Sequence, residues 1–351
     1  MAYNLDYTNT ADLLAAYKQE REYTTFLKDR YFPDGVTFGT DEVIVEYKAG
    51  RRVLAPFVSP EINGKVMKRN GYKATAFQPA MIQPKRPLSI DDLKKKGFGE
   101  AYYKQLTPAE RAVQITIDDL REMRTMIDLR KEQMAGEILQ NNALSMKYYT
   151  DNNNLYQTKN IAFYENTNPS AYTIQNKWDG NSANILGDLK AMAVDLQKNG
   201  LPAIDVIVGS SVAEVILKNS EVKDLLDNRR YEMGQFEPEE IYPDVTIMGT
   251  LNCYGKKLRI IEYLGSYEAA NGTDTPFIDA KKVIVTAPAC GVTNYGAITQ
   301  IDYGQADFTT YAEKEVPLYE VKDQTRSVIL KSAPLMQPKN LSPFRVATAL
   351  T

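Results

Sequence analysis

Apolar positions recur at helical spacing between residues 106 and 146, and the rest of the pattern is arranged around that stretch. Val113, Ile117, Leu120, Met123, Ile127, Met134 and Ile138 fall mostly three or four residues apart, the spacing of one helix face. Thr107-Pro108-Ala109-Glu110 opens the run as a capping box: hydroxyl and carboxylate each bond a free amide, and Pro108 is pre-set at the first helical position. Arg111, Asp118, Asp119, Arg121, Glu122, Arg124, Arg130, Lys131 and Glu132 fill much of the remaining surface. No proline follows Pro108 in the run, and Gly136 is its one weak point. The pattern predicts a helix over 107–147, a strut about 55–60 Å long. That is longer than an ordinary domain core needs.

Residues 1–38 read as an arm. Thr10 can cap a short helix carrying Leu13, Leu14 and Tyr17, and Phe26, Leu27, Tyr31 and Phe32 lie in a segment closed by Pro33-Asp34-Gly35. Such an aromatic-rich end either packs on something outside its own domain or serves as that domain's first helix. Residues 41–90 alternate, with Val43, Val45 and Tyr47 in one strand, 52–58 in another and 74–82 in a third. Asn63-Gly64 and Asn70-Gly71 mark turns, and Pro56, Pro60, Pro79, Pro84 and Pro87 belong at edges and bends. The outcome is a long hairpin with a basic tip around Lys65, Lys68 and Arg69, marginal unless something covers it. Lys94-Lys95-Lys96 reads as a solvated face.

After the long helix, residues 148–172 are polar and aromatic, with a turn at Asn152-Asn153-Asn154 and Tyr156, Ile161 and Phe163 in short strands. Helices are predicted over 182–199, 211–218 and 222–228, and strands over 204–208, 245–248, 258–263 and 282–287. These make an α/β unit with an excursion at 269–273. Strand-like alternation returns over 315–332, and Pro334, Pro338 and Pro343 then predict an irregular end.

Composition narrows the function. The 351 residues are 43% hydrophobic and 25% charged, enough for real cores, and the length prior gives about two domains. A net charge of −3 lacks the excess of Lys and Arg that coating nucleic acid requires, so any DNA nearby is enclosed instead of gripped. The first ten residues lack signal-peptide character and no apolar run approaches membrane-spanning length, so a soluble chain is expected. Cys253 and Cys290 fit no metal spacing and read as reduced, small core residues, although one disulfide between them stays open.

Histidine is absent, which removes Ser-His-Asp and Cys-His catalysis and histidine metal sites. Gly209-Ser210-Ser211 lacks the lysine and spacing of a phosphate loop, and Ser210 and Ser211 read as the cap of the next helix. Asp118 with Asp119, and Glu239 with Glu240, are adjacent and point apart, so they read as acidic surface. No catalytic residue, cofactor or metal is expected. A carboxylate hydrolase in the α/β unit is the rival enzyme reading, with no paired-acid motif to support it.

Four stretches carry a resemblance. They are Thr10-Ala11-Asp12-Leu13-Leu14-Ala15-Ala16; in the hairpin, Phe57-Val58-Ser59-Pro60, Gly64-Lys65-Val66, Phe77-Gln78-Pro79 and Gln83-Pro84-Lys85; Val222-Lys223 with Leu226-Asp227-Asn228-Arg229-Arg230; and Ser332-Ala333-Pro334-Leu335-Met336. In these the chain resembles the lambda-like major capsid protein E family of tailed bacteriophages, nearly end to end. The resemblance implies an α+β chain with the Hong Kong 97 capsid fold. It would make 1–38 the N-terminal arm, 39–95 the E-loop hairpin with flanking strands, and 96–180 a peripheral domain with spine helix 107–147. Residues 181–314 would be the axial domain and 315–351 the return strands of the peripheral domain.

The function implied is a major capsid protein, not an enzyme, that self-assembles as hexamers and pentamers into an icosahedral head enclosing double-stranded DNA without sequence-specific binding. Implied partners are other copies of itself, a portal, a scaffold expected as a separate protein, and in some relatives a maturation protease and a decoration protein. The implied location is the virion, assembled in the host bacterial cytoplasm, with no membrane. A nanocompartment shell of the encapsulin type, holding protein cargo, is the alternative. Arg51, Arg52, Lys65, Lys68 and Arg69 are the candidate intersubunit contacts, expected to meet acidic groups of a neighbour. A Lys–Asn crosslink through Lys65 or Lys68, seen in some relatives of the fold, would also need an acidic catalyst and a presented Asn.

Overall fold

A mixed sheet of seven strands carries a separate hydrophobic core on each of its faces. The computed structural model describes residues 23–40, 42–48, 72–89, 107–149, 156–180, 182–227, 234–235, 238–269, 271–303, 306–322 and 325–351. The sheet runs, in spatial order, Arg345–Thr348, Lys282–Thr286, Asp205–Val208, Lys256–Tyr263 and Val245–Cys253, with Gly234–Gln235 and Glu239–Tyr242 both pairing on the last. Asp205–Val208 lies parallel to Lys256–Tyr263 and antiparallel to Lys282–Thr286. Its strands are apolar at consecutive positions because both faces are buried. Val206, Val208, Ile260, Val283 and Val285 face one core, while Ile207, Ile261 and Ile284 face the other.

The first of these cores is closed by helices Ile185–Lys198 and Ser210–Lys218. Asn184 caps the former by accepting the Gly187 amide at 2.9 Å, which trims the helix predicted from 182. The cap of the latter is Gly209, with no side-chain cap bond, so the reading of Ser210 and Ser211 as caps is corrected: both are already helical. A side chain at Gly209 would run into the Asp279 carbonyl, which leaves no room for a serine cap there. Helix Ser220–Asp227 follows as expected.

Across the sheet, the second core is closed by the long helix, Pro108–Asn141, whose 34 residues span about 51 Å. Its capping box forms in full between Thr107 and Glu110. The helix stops earlier than predicted, because Asn142 turns left-handed (φ 51°) and its amide closes on the Ile138 carbonyl at 2.8 Å. From there the burial period changes to two, with Leu144 and Met146 in and Ser145 and Lys147 out, and Ala143–Tyr149 pairs as a strand with Tyr156–Ala162. Lys131 and Glu132 are also corrected. They are 3% and 0% exposed, because the C-terminal half of the helix is enclosed nearly all round. Gly136 is no weak point either, since it lets the helix approach the Phe277 carbonyl.

Helix Phe26–Tyr31 packs against the long helix and buries Phe26, Leu27 and Tyr31, with Phe32 beside it. Of the two readings for this segment, it is the built-in first helix that is seen here. Asp34–Thr37 then starts a three-stranded sheet with Gly291–Tyr295 and Pro334–Pro338. The irregular end expected after Pro334 is therefore corrected. Pro334 and Pro338 occupy the two ends of an edge strand, where proline costs no ladder bond, and Arg345–Thr348 closes one side of the central sheet.

Val316–Lys322 and Thr325–Lys331 form a hairpin, extended by Lys85–Leu88 with Pro87 on the outer edge. The strand expected over 74–82 is Tyr72–Phe77, and Ile82 makes only an isolated bridge to Ser332. Val245–Cys253 and Lys256–Tyr263 are longer than expected because Tyr254-Gly255, with φ of 48° and 90°, joins them as a tight hairpin. The excursion at 269–273 is the turn of the small hairpin Ser266–Glu268 and Asp274–Pro276. The Thr10 helix, the strand over 52–58, Lys94-Lys95-Lys96 and the Asn152-Asn153-Asn154 turn lie outside the described residues.

Candidate assembly surfaces

Arg51, Arg52, Lys65, Lys68 and Arg69 all lie outside the described residues, between the two strands of the hairpin base. Val43–Lys48 and Tyr72–Phe77 run antiparallel from Val43 opposite Phe77 to Lys48 opposite Tyr72, and segment 49–71 connects their far ends. Val43 is fully buried, and Phe77 meets Phe163 edge-on at 6.1 Å. On the return, Arg86 reaches the long helix at Asp119 (3.1 Å) and Glu122, and Lys85 pairs with Glu320. Both ends of the hairpin are thereby fixed to the body.

A charged cleft of about 710 Å³ opens between helix Phe26–Tyr31, the long helix and the loop at 312–315. Asp34 stands at its centre, accepting from Lys314 Nζ at 2.7 Å and from the Tyr295 hydroxyl at 2.8 Å, with Lys28 at 3.2 Å. Burial alone would raise this carboxyl, but those donors hold it down at about 2. Lys131 bridges Asp128 (3.3 Å) and Glu315 (3.0 Å) and sits over the Tyr295 ring at 5.5 Å. Arg124 reaches the other Glu315 oxygen at 3.4 Å. The wall charges thus largely pair with one another.

Two buried carboxylates tie the first helix to the rest. Glu132 Oε1 accepts from the Leu27 amide and the Tyr263 hydroxyl, each at 2.8 Å, and Oε2 accepts from the Lys28 amide at 2.9 Å. It thereby caps helix Phe26–Tyr31 from a distant part of the chain, since Thr25 makes no side-chain cap bond. Burial pushes its carboxyl up to about 7, against the pull of the two amides and the phenol. Asp205, with 0% exposure, accepts from Arg30 Nε at 2.8 Å and from the Tyr31 hydroxyl at 3.2 Å, and its other oxygen faces Arg259 at 3.4 Å. Sequence reading missed both; the one available signal was a glutamate near the apolar stripe of the long helix.

These clusters fix elements in place and present no nucleophile beside a base. Cys253 and Cys290 are free thiols in the core, and burial pushes each up to about 12. Among the described residues, no group of His, Cys, Asp and Glu is placed to hold a metal ion, and no helix is long and apolar enough to cross a membrane.

Residues 9–349 match the family described as phage major capsid protein E. The chain is similar to the major capsid protein of Escherichia phage lambda, 24% identical over 336 residues that cover 93% of this chain and 94% of that one. It is equally similar to the P21 prophage-derived major head protein of Escherichia coli, 24% identical over 333 residues with the same coverage. A solved structure from E. coli CFT073, described as a prophage capsid protein, superposes with a TM-score of 0.63 at 16% identity, covering 97% of this chain and 98% of that one. A family match across almost the whole length, with the same fold over the same span, leads to one conclusion: the chain belongs to the phage major capsid protein E family, the lambda-like head proteins, and has their Hong Kong 97-type capsid fold.

Proposed function

We propose that the chain is the major head protein of a tailed bacteriophage, assembling as hexamers and pentamers into an icosahedral shell around double-stranded DNA. In this reading, 39–95 reaches over a neighbour, 96–180 with 315–351 forms the periphery, 181–314 surrounds the capsomer axis and 1–38 is the arm. The observation that carries it is the hairpin base: two paired strands anchored by buried Val43, with Arg86 on the return fastened to the long helix, on either side of the basic stretch 49–71. A segment fixed at both ends is pre-organised, so less entropy is lost when it docks. Net acidity supports an inner wall that does not adhere to packaged DNA. Scaffold and portal would be separate chains, met in the bacterial cytoplasm before the shell enters the virion.

The test is negative-stain electron microscopy of the protein expressed alone and with its scaffold, followed by analysis of the contents. Closed shells or capsomer rings are expected, with DNA as cargo in shells recovered from phage-producing cells. A monodisperse monomer in both preparations would remove assembly as the function, and shells loaded with an enzyme would move the chain to the nanocompartment reading.

A further inference from the structure

The strand Lys256–Tyr263 carries opposite charges at its two ends. Lys256, Leu258, Ile260 and Glu262 alternate onto one face, and Leu258 and Ile260 are buried in the core beneath the two helices. Lys256 and Glu262 therefore stand on that same face, six residues or about 20 Å apart.

The Lys256 end is basic and aromatic. Tyr254, 57% exposed at the hairpin tip, lies under Lys190 Nζ at 5.5 Å, and Lys256 reaches the neutral Gln197 side chain. No carboxylate occurs between Val245 and Ile261. The two acids of helix Ile185–Lys198, Asp188 and Asp195, are engaged by Trp178 and Arg345.

The Glu262 end is acidic. Glu240 and Glu262 flank Thr246 on neighbouring strands. Burial, and then the nearby Glu214 carboxylate, raise the Glu262 carboxyl above the ordinary 4.5. Lys218 answers Glu214 at 2.9 Å, but among the described residues no cation pairs with Glu240 or Glu262. Strand Glu239–Tyr242 is exposed at all four positions, with Ile241 and Tyr242 each at 42%, and among the described residues nothing pairs on its outer side. A bare edge of this kind is a template for another chain.

We propose that the Tyr254-Gly255 tip of one copy docks on the Glu239–Tyr242 edge of the next, with Lys190 and Lys256 beside Glu240 and Glu262. The contact is head-to-tail, and its repetition closes into a ring when the rotation between copies divides a full turn. Tip against tip, or edge against edge, would bring like charges together, so the two-fold pairing is disfavoured. The inference rests on the assembly reading and names the surfaces through which copies meet.

Electron microscopy of full-length protein tests it, comparing the native chain with Lys190→Glu plus Lys256→Glu and with Glu240→Lys plus Glu262→Lys, each checked by circular dichroism for an intact fold. Either variant alone sets like charges at every contact, and its yield of rings or shells should fall at least about tenfold. Mixed in equal amounts, the two should regain assembly, because each tip then finds an oppositely charged edge. Native assembly with unimpaired variants, or no recovery on mixing, would overturn the docking surface and leave the assembly reading in place. A native protein that stays monomeric would overturn both. As a second measurement, assembled protein with Tyr254→Cys and Glu240→Cys should give an interchain disulfide ladder under mild oxidation, the native thiols being buried. Thr246, beside Glu240, and Tyr254 are eight residues apart, about 25 Å, too far for a bridge within one chain. Absence of the ladder would overturn the proposal.

Discussion

Glu132 and Tyr263 meet where the long helix lies on the central sheet, their 2.8 Å hydrogen bond sealed from water. The same carboxylate takes the Leu27 and Lys28 amides, so one side chain joins three elements far apart in sequence. Glu132→Ala would leave two amides and a phenol unsatisfied in the core. The expected loss is about 3 kcal/mol in urea unfolding, and a loss under half of that would show that water can substitute for the carboxylate.

This carboxyl also sets a pH dependence. Its folded value, about 7, lies above the ordinary 4.5, so its contribution is fully present below pH 4.5 and disappears as pH rises through 7. The difference corresponds to about 3 kcal/mol. Asp34 acts oppositely: held at about 2 against an ordinary 3.8, it adds stability above 3.8 that is lost as pH falls toward 2. Unfolding midpoints between pH 4.5 and 8 should fall with pH in the native protein and stay level in Glu132→Gln. Equal slopes in the two would assign the effect to other groups.

Gly136→Ala improves intrinsic helix propensity by about 1 kcal/mol, yet the added methyl would sit 2.7 Å from the Phe277 carbonyl oxygen. Backbone cannot yield as a side-chain end does. A net destabilisation of about 1–3 kcal/mol is expected by thermal denaturation, and a rise in Tm would contradict the packing.

Asp205→Ala leaves Arg30 and Arg259 without the acceptor that holds the first helix to the central strand. Removing one partner of a buried ion pair costs about 3–5 kcal/mol. Asp205→Asn, which keeps the shape, should cost less. If the two substitutions cost the same, charge is not what fastens the helix.

Lys68→Glu with Arg69→Glu is expected to block shell formation while leaving circular dichroism and Tm unchanged, because both residues lie beyond the hairpin base that fixes the fold. Light scattering during assembly is the readout. Unimpaired shells would exclude these cations as neighbour contacts.

The long helix and its cap were legible because both signals are local: a stripe at fixed spacing and two side chains three residues apart. Its end was not, since Asn142 stops it through a left-handed turn that leaves Leu144 and Met146 still looking helical in spacing. Lys131 and Glu132 read as surface because the residues that enclose them, Glu315, Leu27 and Tyr263, lie over 100 positions away. Pro334 and Pro338 read as breakers because a single sequence does not tell an edge strand from a loop. The charged cleft was hidden for a similar reason, being assembled from the first helix, the long helix, Tyr295 and the loop at 312–315.

The pairing of Arg345–Thr348 with Lys282–Thr286, and of Asp34–Thr37 with Gly291–Tyr295, has a bearing on the chain during synthesis. A nascent polypeptide on the ribosome cannot complete the central sheet until its last strand has left the exit tunnel, because nearly every layer waits on a distant partner. The first helix in turn has neither Asp205 nor Tyr263 to receive it until those residues, more than 170 positions later, have emerged. Neighbouring chains on one messenger would thus emerge without a finished docking surface, and polymerisation would be deferred to released, fully folded subunits. Such late closure separates the time of folding from the time of association, which suits a protein made in many copies at once.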